Sequence, residues 1–565
     1  MKKIFYFFVS ILFIFSLVAC SKVEETSSKP PFDYLRAFGG ASNEENSRVF
    51  PLKDGTFYVV ASTDSPAKSG DIPSSMHLSN DILKNISEKT SSSLGDEASD
   101  IWLFQIDPSK PYKDQIIYSR CFGGTAREEL WTACVDENEN VVICTKSRSN
   151  DGDVKTDNNR TCWIFRVDTK KPYNEQITYS QIFPQSYMWI PLDIKPMGKD
   201  TYYLLYNGEK NGGRLCSLMI LDFSKDVKQN PVFDREIFVH TSTDDMRSWF
   251  VSPHIAVSDK GILTMVWAVE RNKLFSPFEK DKPLNIDKTI NYIEEEIKPE
   301  ERNALDILVI SLNPRLSEKD WIVYSRIIGG SKCDIFPRIL KAENDSFWIS
   351  FFSASDNGDM KNNVVNQATS SLAIMKINPK LTKNKQIEYS KFIHADKSFI
   401  TSAPFTNCDK NIVFFFTITP LKNEETKIKE FNLTKNQKMD NIFFPFVDIK
   451  GEYDRFGYSK LFILDPEREK HYFQDLKIPL NGGGLLNPNI AFADSSLFFA
   501  MDSSTPSGIG DMPFYKRSFM EDLFNKGILK DMFSKDNIAS PTFSSEIVVG
   551  KIKLENMKEF SNSEK

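Results

Sequence analysis

Short apolar runs recur along the chain, separated by tight clusters of Asp, Asn and Gly. In RVFPLKDGTFYVVAST from Arg48, WTACVDENENVVICTK from Trp131 and RILKAENDSFWISFFS from Arg338, two such runs flank an Asp-Gly or an Asn/Asp-rich tetrad. That is turn chemistry, so each segment predicts a β-hairpin. IAVSDKGILTMVWA from Ile255 and IAFADSSLFFAM from Ile490 repeat the pattern. A second set of runs is short, apolar and often closed by Asp-Pro or Asn-Pro: DIWLFQIDP from Asp100, TCWIFRVDT from Thr161, LCSLMILDF from Leu215, LDILVISLNP from Leu305, SLAIMKINP from Ser371, SKLFILDPE from Ser459 and SEIVVGKIK from Ser545. Proline cannot extend a central strand, so these dipeptides mark strand ends.

A third element shows clear self-similarity: YLRAFGG at 34–40, YSRCFGG at 118–124 and YSRIIGG at 324–330. Weaker copies begin at Tyr179, Phe233, Tyr389 and Tyr472. Each unit thus holds a hairpin, A–B, then strands C and D, and the unit occurs seven times. Four antiparallel strands repeated in this way predict an all-β chain, a seven-bladed β-propeller with small helical insertions in its loops. The first D-type strand, at 32–38, precedes every A strand, and the last unit ends near Leu554 with no D strand of its own. The N-terminal strand is therefore expected to complete the last blade and close the ring.

The D strand should be the outer edge of each blade, where unpaired backbone invites sheet-to-sheet pairing. Arg36, Arg120, Gln181, Arg235, Arg326 and Lys391 recur two residues after the Tyr or Phe of this strand, a placement that suits edge protection. The large insertions, at about 74–99, 272–303, 421–455 and 513–541, all fall between strands B and C, on one expected face. Two of them carry helical signals: Ile286, Ile290, Ile293 and Ile297 at three- and four-residue steps, and a capping-box spacing of Ser518 and Glu521 before Leu523 and Phe524. Loops are where function is grafted onto a scaffold. Four B–C loops contain Gly-Asp, which makes Asp71, Asp153, Asp359 and Asp511 the candidate binding-face residues. Asp beside Gly also forms turns, and the loops lack the multi-carboxylate spacing of a calcium loop, so no metal is assigned.

Residues 1–19 read as a lipoprotein signal peptide: Lys2 and Lys3, an apolar run from Ile4 to Val18, then Leu17-Val18-Ala19-Cys20, which resembles a bacterial lipobox. Cys20 is the expected lipid attachment, residues 20–31 a flexible tether and 32–565 a single propeller domain. The expected address is the bacterial cell envelope, anchored by lipid in the outer membrane; Glu24-Glu25 loosely resembles a surface-export signal and equally suits a solvated linker, so the surface and periplasmic faces both stay open. The remaining seven cysteines are scattered with no CxxC pair, and mostly buried thiols are expected, with Cys134 and Cys144 close enough in sequence to pair. The 565 residues carry a net charge of −6, which argues against a nucleic-acid partner.

The run YSR-x-FGG, a hairpin with an Asp-Gly or Asn-rich turn, Gly-Asp and then D-x-W or C-W strands resembles the SBBP-type β-propeller repeat of bacterial surface and secreted proteins, most fully from Tyr118 to Asp168. The third D copy departs from it, with Pro184-Gln185 in place of Gly-Gly, and the sixth unit matches poorly. The resemblance implies an envelope binding scaffold and no shared catalytic residue. There is no GxSxG elbow and no HExxH. Glycosidase chemistry needs two facing carboxylates, for which Glu44, Glu128 or Asp153 are the acids on offer. The expected function is a protein- or glycan-binding scaffold acting through its loop-elaborated face, without a cofactor and with the membrane as a lipid-mediated partner. The alternatives are a periplasmic envelope-assembly scaffold and a carbohydrate-active enzyme.

Overall fold

The computed structural model describes residues 32–40, 44–65, 70–73, 99–156, 161–210, 213–240, 253–270, 274–275, 305–317, 320–364, 371–395, 398–408, 410–420, 436, 440–444, 457–480, 489–503 and 546–553. The signal segment, Cys20, the tether, most of the four large insertions with their helical signals, and Asp511 lie outside the described residues.

Seven antiparallel sheets follow one another, each running A-B-C-D. Blade 1 holds Glu44–Pro51, Phe57–Thr63, Asp100–Ile106 and Ile116–Phe122. Blade 2 holds Glu128–Val135, Val141–Ser147, Thr161–Val167 and Ile177–Pro184. Blade 3 holds Ile190–Gly198, Thr201–Lys210, Gly213–Asp222 and Phe233–His240. Blade 4 holds His254–Val257, Leu263–Glu270, Leu305–Leu312 and Ile322–Ile328. Blade 5 holds Asp334–Lys341, Phe347–Ser353, Ser371–Ile377 and Ile387–Ala395. In blade 6 strand A is split into Ser398–Ser402 and Phe405–Cys408, both paired with Asn411–Pro420, before Gly457–Asp465 and Lys470–Leu480. Blade 7 holds Asn489–Ala493, Ser496–Ser503 and Glu546–Lys553, and its D strand is Tyr34–Phe38 from the other end of the chain.

The expected seven-bladed propeller and its closure by the N-terminal strand are thus what the chain forms. Tyr34 pairs with Lys551 and Phe38 with Ile547 in an antiparallel ladder. Each A strand touches the A strands of both neighbouring blades, with Phe405–Cys408 serving for blade 6, so these strands form a closed inner wall around the axis.

Middle strands are buried on both faces because each blade is sandwiched between two others. Phe57–Thr63, Leu305–Leu312 and Phe347–Ser353 are buried at every position. That is why they read as continuous apolar runs and not as alternating ones. The period of two survives in the choice of core: Phe57, Val59 and Ala61 face blade 7, whereas Tyr58 and Val60 face blade 2. Seven hydrophobic clusters result among the described residues, one for each seam of the ring.

Two outer edges gain a fifth strand that the sequence pattern does not announce. Leu274–Phe275 pairs antiparallel with the D strand of blade 3, and Asn441–Phe444 pairs parallel with that of blade 5. Both cover an edge that would otherwise present free backbone groups. The irregular sixth blade has a local cause. Pro404 interrupts strand A, lacks an N–H, and its carbonyl accepts Phe415 N instead.

The edge-protection reading of the recurrent D-strand residue fits the exposed Arg235 but needs correction at Arg36 and Arg120. Arg36 and Arg120 are 6% and 4% exposed. They turn into the seam with the next blade instead of lining a solvent edge.

Candidate functional site

Three of the four candidate aspartates meet these arginines. Arg36 Nη2 lies 3.0 Å from Asp71 Oδ1, Arg120 Nη2 3.3 Å from Asp153 Oδ1, and Arg326 Nη2 2.7 Å from Asp359 Oδ1. In each case the arginine comes from strand D of one blade and the aspartate from the B–C loop of the next. The second guanidinium nitrogen donates to the C–D turn of that same next blade. Arg36 Nη1 reaches Tyr112 O and Gln115 Oε1, Arg120 Nη1 reaches Tyr173 O and Gln176 Oε1, and Arg326 Nη1 reaches Lys383 O and Gln386 Oε1. Arg36 and Arg120 also lie 3.9 Å over the rings of Tyr112 and Tyr173.

The Gly-Asp dipeptide is shaped for this clasp. Asp71 N donates to Gly39 O and Asp153 N to Gly123 O. Gly152 has φ +64°, and a Cβ on it would stand 2.4 Å from Gly123 O, so a side chain there has no room. The residue after each aspartate, Ile72, Val154 or Met360, is buried in the core of the same seam. The carboxylates of Asp71, Asp153 and Asp359 are therefore occupied inside the protein, at the seams 7/1, 1/2 and 4/5.

Two of the acids considered for glycosidase chemistry are fully buried. Glu44 accepts from Gly40 N, Thr63 Oγ1 and Ser65 Oγ, and Glu128 accepts from Gly124 N and Ser147 Oγ. Asp334 repeats the pattern in blade 5, accepting from Gly330 N and Ser355 Oγ. Burial pushes the Glu128 carboxyl up to about 7 against the hydrogen bonds it receives. These groups brace the turn between blades and are not presented to solvent.

The chemistry that the sequence reading passed over lies on the inner wall. Register shifts interrupt the A–B ladders between Glu45 and Arg48, Leu130 and Thr132, Pro191 and Asp193, Ile335 and Arg338, and Ile400 and Ser402. Such bulges re-aim side chains. Five A strands bulge at corresponding places, and Arg48, Trp131, Asp193 and Arg338 sit at four of them. Asn46 and Phe336 take φ of 60° and 55° there, a local distortion that belongs to the bulge.

A polar relay crosses three adjacent blades. Lys195 Nζ is 3.2 Å from Asp193 Oδ1, His254 Nδ1 is 3.7 Å from Asp193 Oδ2, and His254 Nε2 is 2.7 Å from Arg338 Nη1. Asp193 Oδ2 also accepts Ile255 N at 3.0 Å. Because Arg338 can only donate, His254 Nε2 is the acceptor and Nδ1–H faces Asp193, which makes the ring neutral. Burial and the Arg338 charge hold His254 down at about 4. Burial opposes ionisation of Asp193, yet Lys195, His254 and the Ile255 amide together hold its carboxyl well below the usual range. Across the wall, Arg48 donates to Asn46 O, Ser47 O and Trp131 O. Asp502 accepts Asn46 N, Ser47 N and Ser47 Oγ, which fastens blade 7 to blade 1. Burial, then repulsion from Arg48, lowers Arg338 to about 10. A sequence signal for this cluster existed only in part: Arg48, Trp131 and Arg338 each open a hairpin segment, but nothing in the pattern marks the bulges.

No family model matches the chain, and no curated protein sequence matches it. Solved structures align with it at low identity. A polysaccharide lyase, Uly1, aligns at 8% identity over 94% of each chain with a TM-score of 0.38. A family PL25 ulvan lyase aligns at 9% identity over 82% of this chain and 93% of its own, with a TM-score of 0.39. An α-L-arabinofuranosidase, Arb93A from Fusarium graminearum, aligns at 8% identity over 92% and 98%, with a TM-score of 0.35. Likeness at this level concerns the fold and transfers no residue role.

Proposed function

We propose that this protein is a lipid-anchored scaffold of the bacterial cell envelope that binds a glycan or protein partner, and that it belongs with the SBBP-type repeat lipoproteins. Support for the address is the lipobox-like Leu17-Val18-Ala19-Cys20. The observation that carries the binding reading is the inner wall. Five A strands depart from regular pairing, and at four of these places stand Arg48, Trp131, Asp193 and Arg338, an arrangement a purely structural ring does not need. Asp71, Asp153 and Asp359 contribute by holding the seams, so the rim that carries the B–C insertions keeps a fixed geometry around the axis. Asp511 follows the same Gly-Asp pattern in the sequence of the last blade.

The test combines location and binding. Intact cells making the protein are treated with protease, and the purified mature protein is screened on a glycan array. Cleavage in intact cells and selective retention of one glycan class are the expected results. Protection until the outer membrane is broken, with no glycan retained, would overturn the reading in favour of an internal envelope partner.

A further inference from the structure

Arg48 and Arg338 differ from the arginines of the seams. Arg36, Arg120 and Arg326 each have a carboxylate partner within 3.3 Å. Neither Arg48 nor Arg338 has a carboxylate within 4.0 Å among the described residues. Their hydrogen bonds go to backbone carbonyls and to His254 Nε2. The two nearest acids are already engaged: Asp502 by Asn46 and Ser47, and Asp193 by Lys195 and Ile255. Both arginines are half-buried, and the side chain of His254 between Arg338 and Asp193 keeps 25% of its exposure, so the cluster is open to small groups from the axis. Two like-charged guanidiniums in a low-dielectric wall, with Asp502 and Asp193 acting on them only from beyond ion-pair distance, are costly, and an anion that joins them relieves that cost. Guanidinium geometry favours a planar or tetrahedral oxyanion, gripped by paired N–H donors.

Trp131 narrows the class. Its carbonyl accepts Arg48 Nη2, and the residue is half-buried on the same inner wall. An indole on a residue whose backbone touches the Arg48 guanidinium suits a sugar ring that carries an acidic substituent. We propose that the axial cluster of Arg48, Arg338 and Trp131 binds the carboxylate or sulfate group of an acidic glycan. The proposal rests on the binding-scaffold reading and names its ligand class. Arg48 and Arg338 supply the donors, His254 holds Arg338 in place through its neutral Nε2, and Trp131 packs against the ring.

Calorimetric titration of the full mature protein tests this with four probes: an oligogalacturonate, a heparin oligosaccharide, a neutral gluco-oligosaccharide and poly-L-glutamate. The uronate or the sulfated probe should bind and lose affinity as salt rises, and the neutral one should not bind. Arg338→Gln, which keeps a donor for His254, should weaken binding about 10- to 100-fold. Trp131→Ala should weaken it as well, and it stands in if the arginine variant melts early. Unchanged affinity in both variants, or poly-L-glutamate binding as tightly as the acidic sugars, would overturn the proposal and leave the scaffold reading intact. Binding of the neutral probe alone would do the same. No binding to any probe or to the array would bring down both.

Discussion

Arg36 Nη2 lies 3.0 Å from Asp71 Oδ1, and this ion pair ties the strand that closes blade 7 to the loop of blade 1. The same arginine donates to Tyr112 O at 2.7 Å and stacks over the Tyr112 ring, so one side chain fastens the B–C loop and the C–D turn of blade 1 to the closing strand. Arg36→Ala leaves the Asp71 carboxylate and the Tyr112 carbonyl without this donor in a largely dry seam. A loss of about 3 kcal/mol is expected from urea unfolding, with most of it retained in high salt because the seam is screened little. Deleting residues 32–40 goes further. It strips the ladder partner from Glu546–Lys553 and removes Ala37 and Phe38 from two cores. The expected result is a broad transition at lower denaturant, and an unchanged midpoint and slope would refute closure by this strand.

Gly152→Ala isolates the clasp from the charge. A methyl group would meet Gly123 O at 2.4 Å in a backbone held at φ +64°. The B–C loop must then lift from the D strand, drawing Val154 out of its core and Asp153 from Arg120. A cost of about 3–4 kcal/mol is expected, against about 1–2 kcal/mol for Gly55→Ala, which bears the strain of φ +84° but whose Cβ meets nothing within 4 Å. Equal costs at the two positions would mean that positive φ alone explains the effect.

The blades were legible because seven near-copies of one pattern average out local ambiguity, and because sandwiched strands announce themselves as unbroken apolar runs. The closing strand was legible by simple excess, a D-type segment at 32–38 before any A strand and no further D-type copy in the sequence of the last unit. The clasps were half legible. Arg36, Asp71 and Gln115 each recur in register, but their meeting spans 35 and 79 residues and two blades, which no local pattern encodes. An arginine two residues after a Tyr on an edge strand looks solvent-facing until the next blade's turn is folded over it. The axial cluster was not legible, because alternation breaks at the bulges that aim it.

The buried carboxylates give a second handle. Burial raises Glu128 from 4.5 to about 7, so the native state holds this proton more tightly than the unfolded chain. Its contribution is full below 4.5 and fades as pH rises through 7. Glu128→Gln removes that dependence. Relative to wild type, the variant should gain on the order of 3 kcal/mol between pH 5 and pH 8. Parallel curves for the two proteins would show that Glu128 is ionised throughout.

Thiol chemistry checks the cores. Cys121, Cys134, Cys144, Cys162, Cys216 and Cys408 are buried and free, whereas Cys333 is exposed. The sequence left open a Cys134–Cys144 bridge, but both are unpaired thiols, and burial raises both well out of the neutral range. A thiol reagent should therefore modify Cys333 quickly in the native protein and the other six only after denaturation. Cys333→Ser should abolish the fast phase.

Acid should act on the axial wall. His254 is held down at about 4 by burial and by Arg338, against 6.5 when unfolded. The unfolded chain therefore binds the proton first, and the stability from neutral His254 is complete above 6.5 and lost as pH falls towards 4. The loss is on the order of 3 kcal/mol. Glu128 works with the opposite sign over much of the same window, so the wild-type curve alone can look flat. The comparison with His254→Gln separates them. The glutamine keeps an acceptor for Arg338 and has no charge to gain, so the variant should lose less stability than wild type between pH 6.5 and 4.5. If both lose equally, His254 takes up its proton in the fold as readily as in the unfolded chain, and the neutral relay from Asp193 to Arg338 is wrong.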